Sequence, residues 1–174
     1  MEYTFTLKYQ LTGDDCDPDA LVERLGGAGC DDALVGIGQP GRLALEFTRE
    51  AVDAATAVRS ALADVRRAVP SARLIEMAPD LVGLTDVAEL VGVSRQNMRK
   101  LMLAHRGGFP APVHEGSTSI WHLADVLAWL QAKGSYPLGQ DVLEVAQMAL
   151  QVNVAKEGRR LPRAASKELE ALVG

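Results

Sequence analysis

The chain is poor in the residues that staple, metallate or anchor proteins. Its two cysteines, Cys16 and Cys30, lie in acidic or glycine-rich surroundings without CxxC spacing, so free thiols are expected rather than a disulfide framework. Its three histidines, His105, His114 and His122, have no Cys, Asp or Glu at ligand spacing, which argues against a metal site. There is no phosphate-cradling glycine loop and no nucleophile motif; GIGQPGR holds its glycines around a proline, as a turn does. The acids Asp14, Asp15, Asp17 and Asp19 lack the spaced ligands and closing glutamate of a calcium loop. No catalytic residue, metal or cofactor is therefore expected. No run approaches the roughly 18 apolar residues of a bilayer span, and MEYTFTLKYQ has neither a basic cluster nor a greasy stretch. The expectation is a cytoplasmic protein with no membrane partner. Internal repeats and low-complexity tracts are also missing.

What is present suits a folded protein: 174 residues, 48% hydrophobic, with a formal net charge of −5. That acidity is uneven. Residues 1–80 hold 14 acids and 8 bases, residues 81–133 hold 4 and 5, and residues 134–174 hold 5 of each. Within 95–106 lie Arg95, Arg99, Lys100 and Arg106 with no acid among them. Salt cuts fields off within about 10 Å, so this local surplus, not the total, is what a phosphate backbone meets.

The first half reads as an alternation of strands and helices. YTFTLKYQL places Tyr3, Phe5, Leu7 and Tyr9 on one side and Thr4, Thr6, Lys8 and Gln10 on the other, the period of a half-buried strand. Asp17 before Pro18 predicts a helix start, and Gly26-Gly27 its stop. ALVGI (33–37) and LALEFT (43–48) predict strands joined by GQPGR. From Arg49 to about Val69, Val52, Ala55, Val58, Leu62, Val65 and Val69 recur at helical spacing. Pro70 ends that helix and ARLIEMA predicts a last strand. Strand, helix, strand, strand, helix, strand is the ferredoxin-like βαββαβ order. RNA-recognition domains share it and stack bases on open-face aromatics. Here the aromatics share a face with Leu7, and GRLALEF lacks the glycine and aromatic pattern, so packing is expected instead.

Pro79-Asp80 closes this unit on a linker too short to be a free tether, and KGSYPLGQ (133–140) marks a second break. DVLEVAQMALQVNVA follows with two apolar stripes, Val142/Val145/Ala149/Val152 and Leu143/Ala146/Leu150/Val154. A surface so wide is expected to clamp the other parts together or to form a dimer seam. EGRRLPRA is a basic loop broken by Pro162, and a terminal helix is expected from Ser166. The organisation expected is α+β: a ferredoxin-like domain at 1–80, a second domain at 81–133, and a C-terminal helical segment and tail at 134–174.

The second domain carries the chemistry. In LTDVAELVGVSRQNMRKL (84–101), Thr85 or Asp86 is expected to cap a helix with Val87, Leu90 and Val91 turned inward. Gly92 is a left-handed stop, Val93 fills the elbow, and Ser94 caps a second helix from Arg95 to about Ala104. At 3.6 residues per turn Met98, Leu101, Met102 and His105 share one side, while Arg95, Gln96, Asn97, Arg99 and Lys100 take the rest. Those side chains can fork onto guanine, pair with adenine edges or hold phosphates; the plainer reading is a solvated basic face. FPAPV, a turn at Glu115-Gly116, a returning TSIW strand and a helix with Trp129 complete the segment.

Through LTDVAELVGVSRQNMRKL, FPAPV and WHLADVLAWL, residues 81–133 resemble the MerR-like, phage-excisionase type of winged helix-turn-helix domain. The resemblance implies a second helix in the major groove of double-stranded DNA and a hairpin wing on the adjacent backbone. Carried over, it implies DNA contacts from Ser94, Arg95, Gln96, Asn97, Arg99, Lys100 and Arg106, with His114, Ser117 and Thr118 on the wing and Trp121 and Trp129 in the core. This wing departs from the family in having no Arg or Lys, so few phosphates are neutralised and a homodimer on a two-part site is expected. The basic residues Arg159, Arg160 and Arg163 could supply a further backbone contact, but the plainer reading, a solvated loop, is the one expected. The expectation is a bacterial sequence-specific transcriptional regulator, a dimeric repressor, and not an enzyme. The alternative is an antitoxin-like or adaptor protein that holds a partner protein as well as DNA.

Overall fold

The computed structural model describes residues 1–174, except for the side chains of Asp14, Ala164, Ala165 and Ser166. Asp14 of the acidic loop thus lies outside the described side chains. The protein is a mixed α+β structure with two antiparallel sheets. Among the described residues, no helix is long and apolar enough to cross a membrane.

The larger sheet comes from β1 (Glu2–Gln10), β2 (Ala33–Gly36), β3 (Arg42–Glu50) and β4 (Arg73–Ala78), in the order β2-β3-β1-β4. α1 (Pro18–Gly27) and α2 (Ala54–Ala68) each connect two strands that have a third between them. Strand alternation sets which face is buried: Tyr3, Phe5, Leu7 and Tyr9 meet Leu43, Leu45 and Phe47, with Leu21 and Leu25 of α1 and Val58 and Val65 of α2 laid over them. The aromatics are therefore core. The opposite face is mostly polar, with Lys8 and Glu76 paired at 2.6 Å, and also carries the exposed Leu34.

In the first half, two helix boundaries differ from the sequence reading. α1 begins as expected, with Asp17 Oδ1 accepting from the Asp19 amide, but it continues through Gly26 and Gly27 to an Ala28 cap. Its turn is completed by Gly29 at φ +99. α2 starts at Ala54, not Arg49, because Asp53 caps it by accepting from the Thr56 amide. Val52 is 87% exposed. Its spacing matched the helical stripe without belonging to it.

Arg49 instead continues the inward alternation of β3. Its five N–H groups reach Asp32, Asp64, Ser60 and the Gly29 carbonyl oxygen, and the guanidinium lies 4.9 Å from the Phe47 ring centre. Every donor is used, which is what lets a buried guanidinium be tolerated.

After β4 the chain forms β5 (Leu81–Val82), α3 (Leu84–Leu90), α4 (Arg95–Ala104), β6 (His114–Glu115), β7 (Ser119–His122) and α5 (Leu123–Lys133). The smaller sheet has the order β5-β7-β6; β5 has no counterpart in the sequence reading, two residues being too few for a period. α6 (Gln140–Gly158) and α7 (Arg163–Val173) follow, α7 starting three residues before the expected Ser166.

α6 resolves the choice posed by its two apolar stripes. Val145, Met148 and Ala149 enter the core of the large sheet, with Val152 packed against it, while Leu143 and Ala146 enter a second core with Val87, Met98, Trp121 and Leu127. One helix clamps both halves, and its stripes are largely buried within the chain, except for Val154, which is 56% exposed. Glu144 fastens it further, accepting hydrogen bonds from Gln140, the Tyr3 hydroxyl and the Ala54 amide. The Gln140 and Tyr3 bonds hold the Glu144 carboxyl below the usual carboxylate range. A carboxyl depressed on folding adds stability that is complete above its unfolded value and is lost as pH falls through the folded one. Melting curves of Glu144→Gln and the natural protein should therefore differ at neutral pH and converge in acid.

Candidate nucleic-acid interface

α3 and α4 are positioned by caps and a glycine. The α3 cap is Gly83, not Thr85 or Asp86: the Asp86 carboxylate reaches back to accept from the Gly83 amide at 2.7 Å. This shifts the helix start to Leu84 and turns Leu84, Val87 and Ala88 inward. Leu90, expected inside, is 42% exposed, and Val91 is half-buried. Gly92 adopts φ +71, and the Val93 amide closes back on the Ala88 carbonyl at 2.9 Å. Any side chain there would meet the left-handed penalty.

Ser94 caps α4, its hydroxyl accepting from the Asn97 amide at 3.1 Å. Replacing a capping serine by alanine costs about 1 kcal/mol, which in a chain of this size lowers the melting temperature by about 2–4 °C. Differential scanning calorimetry of Ser94→Ala checks this.

Met98 is fully buried, Leu101 and Met102 pack against the same core, and the His105 ring sits over the Leu101 carbonyl with Nδ1 at 3.0 Å. The other face of α4 is turned to solvent: Arg95, Gln96, Asn97, Arg99 and Lys100 are all exposed, as is Arg106 just beyond. Among the described residues none of Arg95, Arg99, Lys100 or Arg106 forms an ion pair, although other arginines of the chain do.

His114 stands on β6, and Ser117 and Thr118 occupy the turn into β7; all three are exposed. An aromatic cluster joins this hairpin to the end of α4. Phe109 meets Trp121 and Trp129 edge-on at 6.0 and 5.1 Å, Trp129 also meets His105, and the Trp121 indole donates to the Pro110 carbonyl. Trp121 is core as expected; Trp129 is half-buried, with Lys133 over its ring. The ten expected contact residues thus occupy α4, its exit turn and one hairpin.

Sequence reasoning missed the joint beneath this surface. The Asp80 side chain is buried and accepts from His122 Nδ1 and Asn153 Nδ2, both at 2.7 Å. Its carbonyl also takes the Leu123 amide, at the first residue of α5. Partners 42 and 73 residues away leave no local signal; the only hint was a charged residue between Pro79 and the apolar Leu81-Val82.

Both cysteines are free. Among the described residues, no group of three or more His, Cys, Asp or Glu side chains is placed to hold a metal ion. No protein-family model matches the chain, nor does any curated protein or solved structure.

Proposed function

We propose that the protein is a sequence-specific DNA-binding transcriptional regulator that lays α4 in the major groove. The observation that carries this reading is the exposed set Arg95, Gln96, Arg99 and Lys100, unpaired among the described residues, on a helix whose other side is anchored by Met98. Guanidinium forks and carboxamides are the groups that read guanine and adenine edges, and Ser94 and Asn97 at the helix start suit phosphate. The tight α3–α4 turn and the β6–β7 hairpin support a winged helix-turn-helix of the MerR-like, excisionase type. The order β2-β3-β1-β4 supports the ferredoxin-like reading of the first half. An electrophoretic shift with the DNA upstream of its own gene is the direct test; no shift with any duplex at low salt would overturn the proposal.

A repressor of this design works as a dimer, with half-sites about one helical turn apart. All of the α6 seam that suggested a dimer but Val154 is packed inside the chain, which favours a contact elsewhere. α7 leaves Leu169, Leu172 and Val173 in solvent, which suits a second copy or, in the adaptor reading, a partner protein. Leu169→Asp/Leu172→Asp should convert a dimer to a monomer in light scattering. A protein monomeric before substitution would weigh for the adaptor reading.

A further inference from the structure

The last turns of α2 and α6 converge over β4 and enclose a cavity of about 1010 Å³. Five cations line it: Arg66, Arg73, Lys156, Arg159 and Arg160. No described carboxylate lines it. Lys156 and Arg160 are paired with Glu157, whereas Arg66, Arg73 and Arg159 form no ion pair among the described residues. The floor is apolar, from Leu62, Val65 and Leu74. Cations in the last turn of a helix offset its dipole, which accounts for Arg66 and Lys156. It does not account for Arg73, which is on a strand, or for Tyr9. That residue is 5% exposed and lines the cavity, and among the described residues its hydroxyl, which solvent reaches, forms no hydrogen bond and is free to donate to a ligand.

We propose that this cavity binds a small organic anion with an apolar body, an aryl or medium-chain carboxylate. The arginine forks take the carboxylate, the Tyr9 hydroxyl donates to it, and the apolar body lies on Leu62, Val65 and Leu74. Charge alone would bring in any anion; the floor selects the amphipathic ones.

Calorimetric titration of the full chain with 1-naphthoate, without DNA, tests this. One saturable site is expected, with 1-naphthamide and inorganic phosphate each binding at least about tenfold more weakly. Arg66→Ala/Arg73→Ala should lose about tenfold or more, and Tyr9→Phe about fivefold, with unchanged melting temperatures. The absence of saturable binding, equal affinity for the amide or for phosphate, or unchanged affinity in either variant would overturn the proposal. Arg95→Ala/Arg99→Ala should bind 1-naphthoate as the natural protein does, so this site and the DNA reading stand or fall separately.

Discussion

Arg95→Ala/Arg99→Ala is expected to lower affinity for the cognate duplex by about 100-fold or more, since each bidentate base contact is worth about 1–3 kcal/mol. The melting temperature should hardly move, because both side chains are exposed and, among the described residues, unpaired, so no buried partner is orphaned. The two changes act at different levels than Lys100→Ala. Loss of a base contact relaxes sequence preference at one position, while loss of a phosphate contact weakens all duplexes alike and flattens the salt dependence. Competition shifts against mutated operators, repeated at two salt concentrations, separate the two. A double variant that still discriminated among operators as the natural protein does would remove α4 as the reading element.

Asn153→Ala carries the largest expected cost in stability, about 3–5 kcal/mol by urea unfolding. The Asn153 carboxamide behaves like a strand laid along the edge of β4: Oδ1 accepts from the Met77 amide at 2.9 Å and Nδ2 donates to the Met77 carbonyl at 2.8 Å. The same Nδ2 donates to Asp80, and Lys156 adds a bond to the Ile75 carbonyl further along. Truncation strands two backbone groups and removes one of the two side chains that hold a buried carboxylate. Asn153→Asp is expected to be worse at neutral pH, since it sets a second carboxylate against Asp80. Acid should partly relieve it, because that repulsion raises the carboxyl's folded pKa and protonation then removes the charge.

The contrast between α4 and Asn153 explains what a single sequence discloses. α4 was legible because its signals are local: a cap at Ser94, a stop at Gly92, an apolar side through Met98. The strands were legible for the same reason, through alternation such as Tyr3, Phe5, Leu7 and Tyr9. Local signals also misled, since Val52 fell into the helical stripe and drew Arg49 out of its strand, and Leu90 looked as apolar as its inward neighbours. Arg49 and Asp80 stayed hidden because a charge buried by distant partners looks, in sequence, like a charge on a surface. The cationic cavity was hidden likewise, its walls coming from β1, α2, β4 and the end of α6.

Because α6 serves two cores at once, residues 81–133 cannot be cut out with their core intact. A fragment ending at 133 would lack Leu143 and Ala146 from the hydrophobic cluster around Met98. One extended to 158 would instead bare Val145, Met148 and Ala149 to water. Heating the whole protein should accordingly give one sharp transition in calorimetry, with both halves lost together.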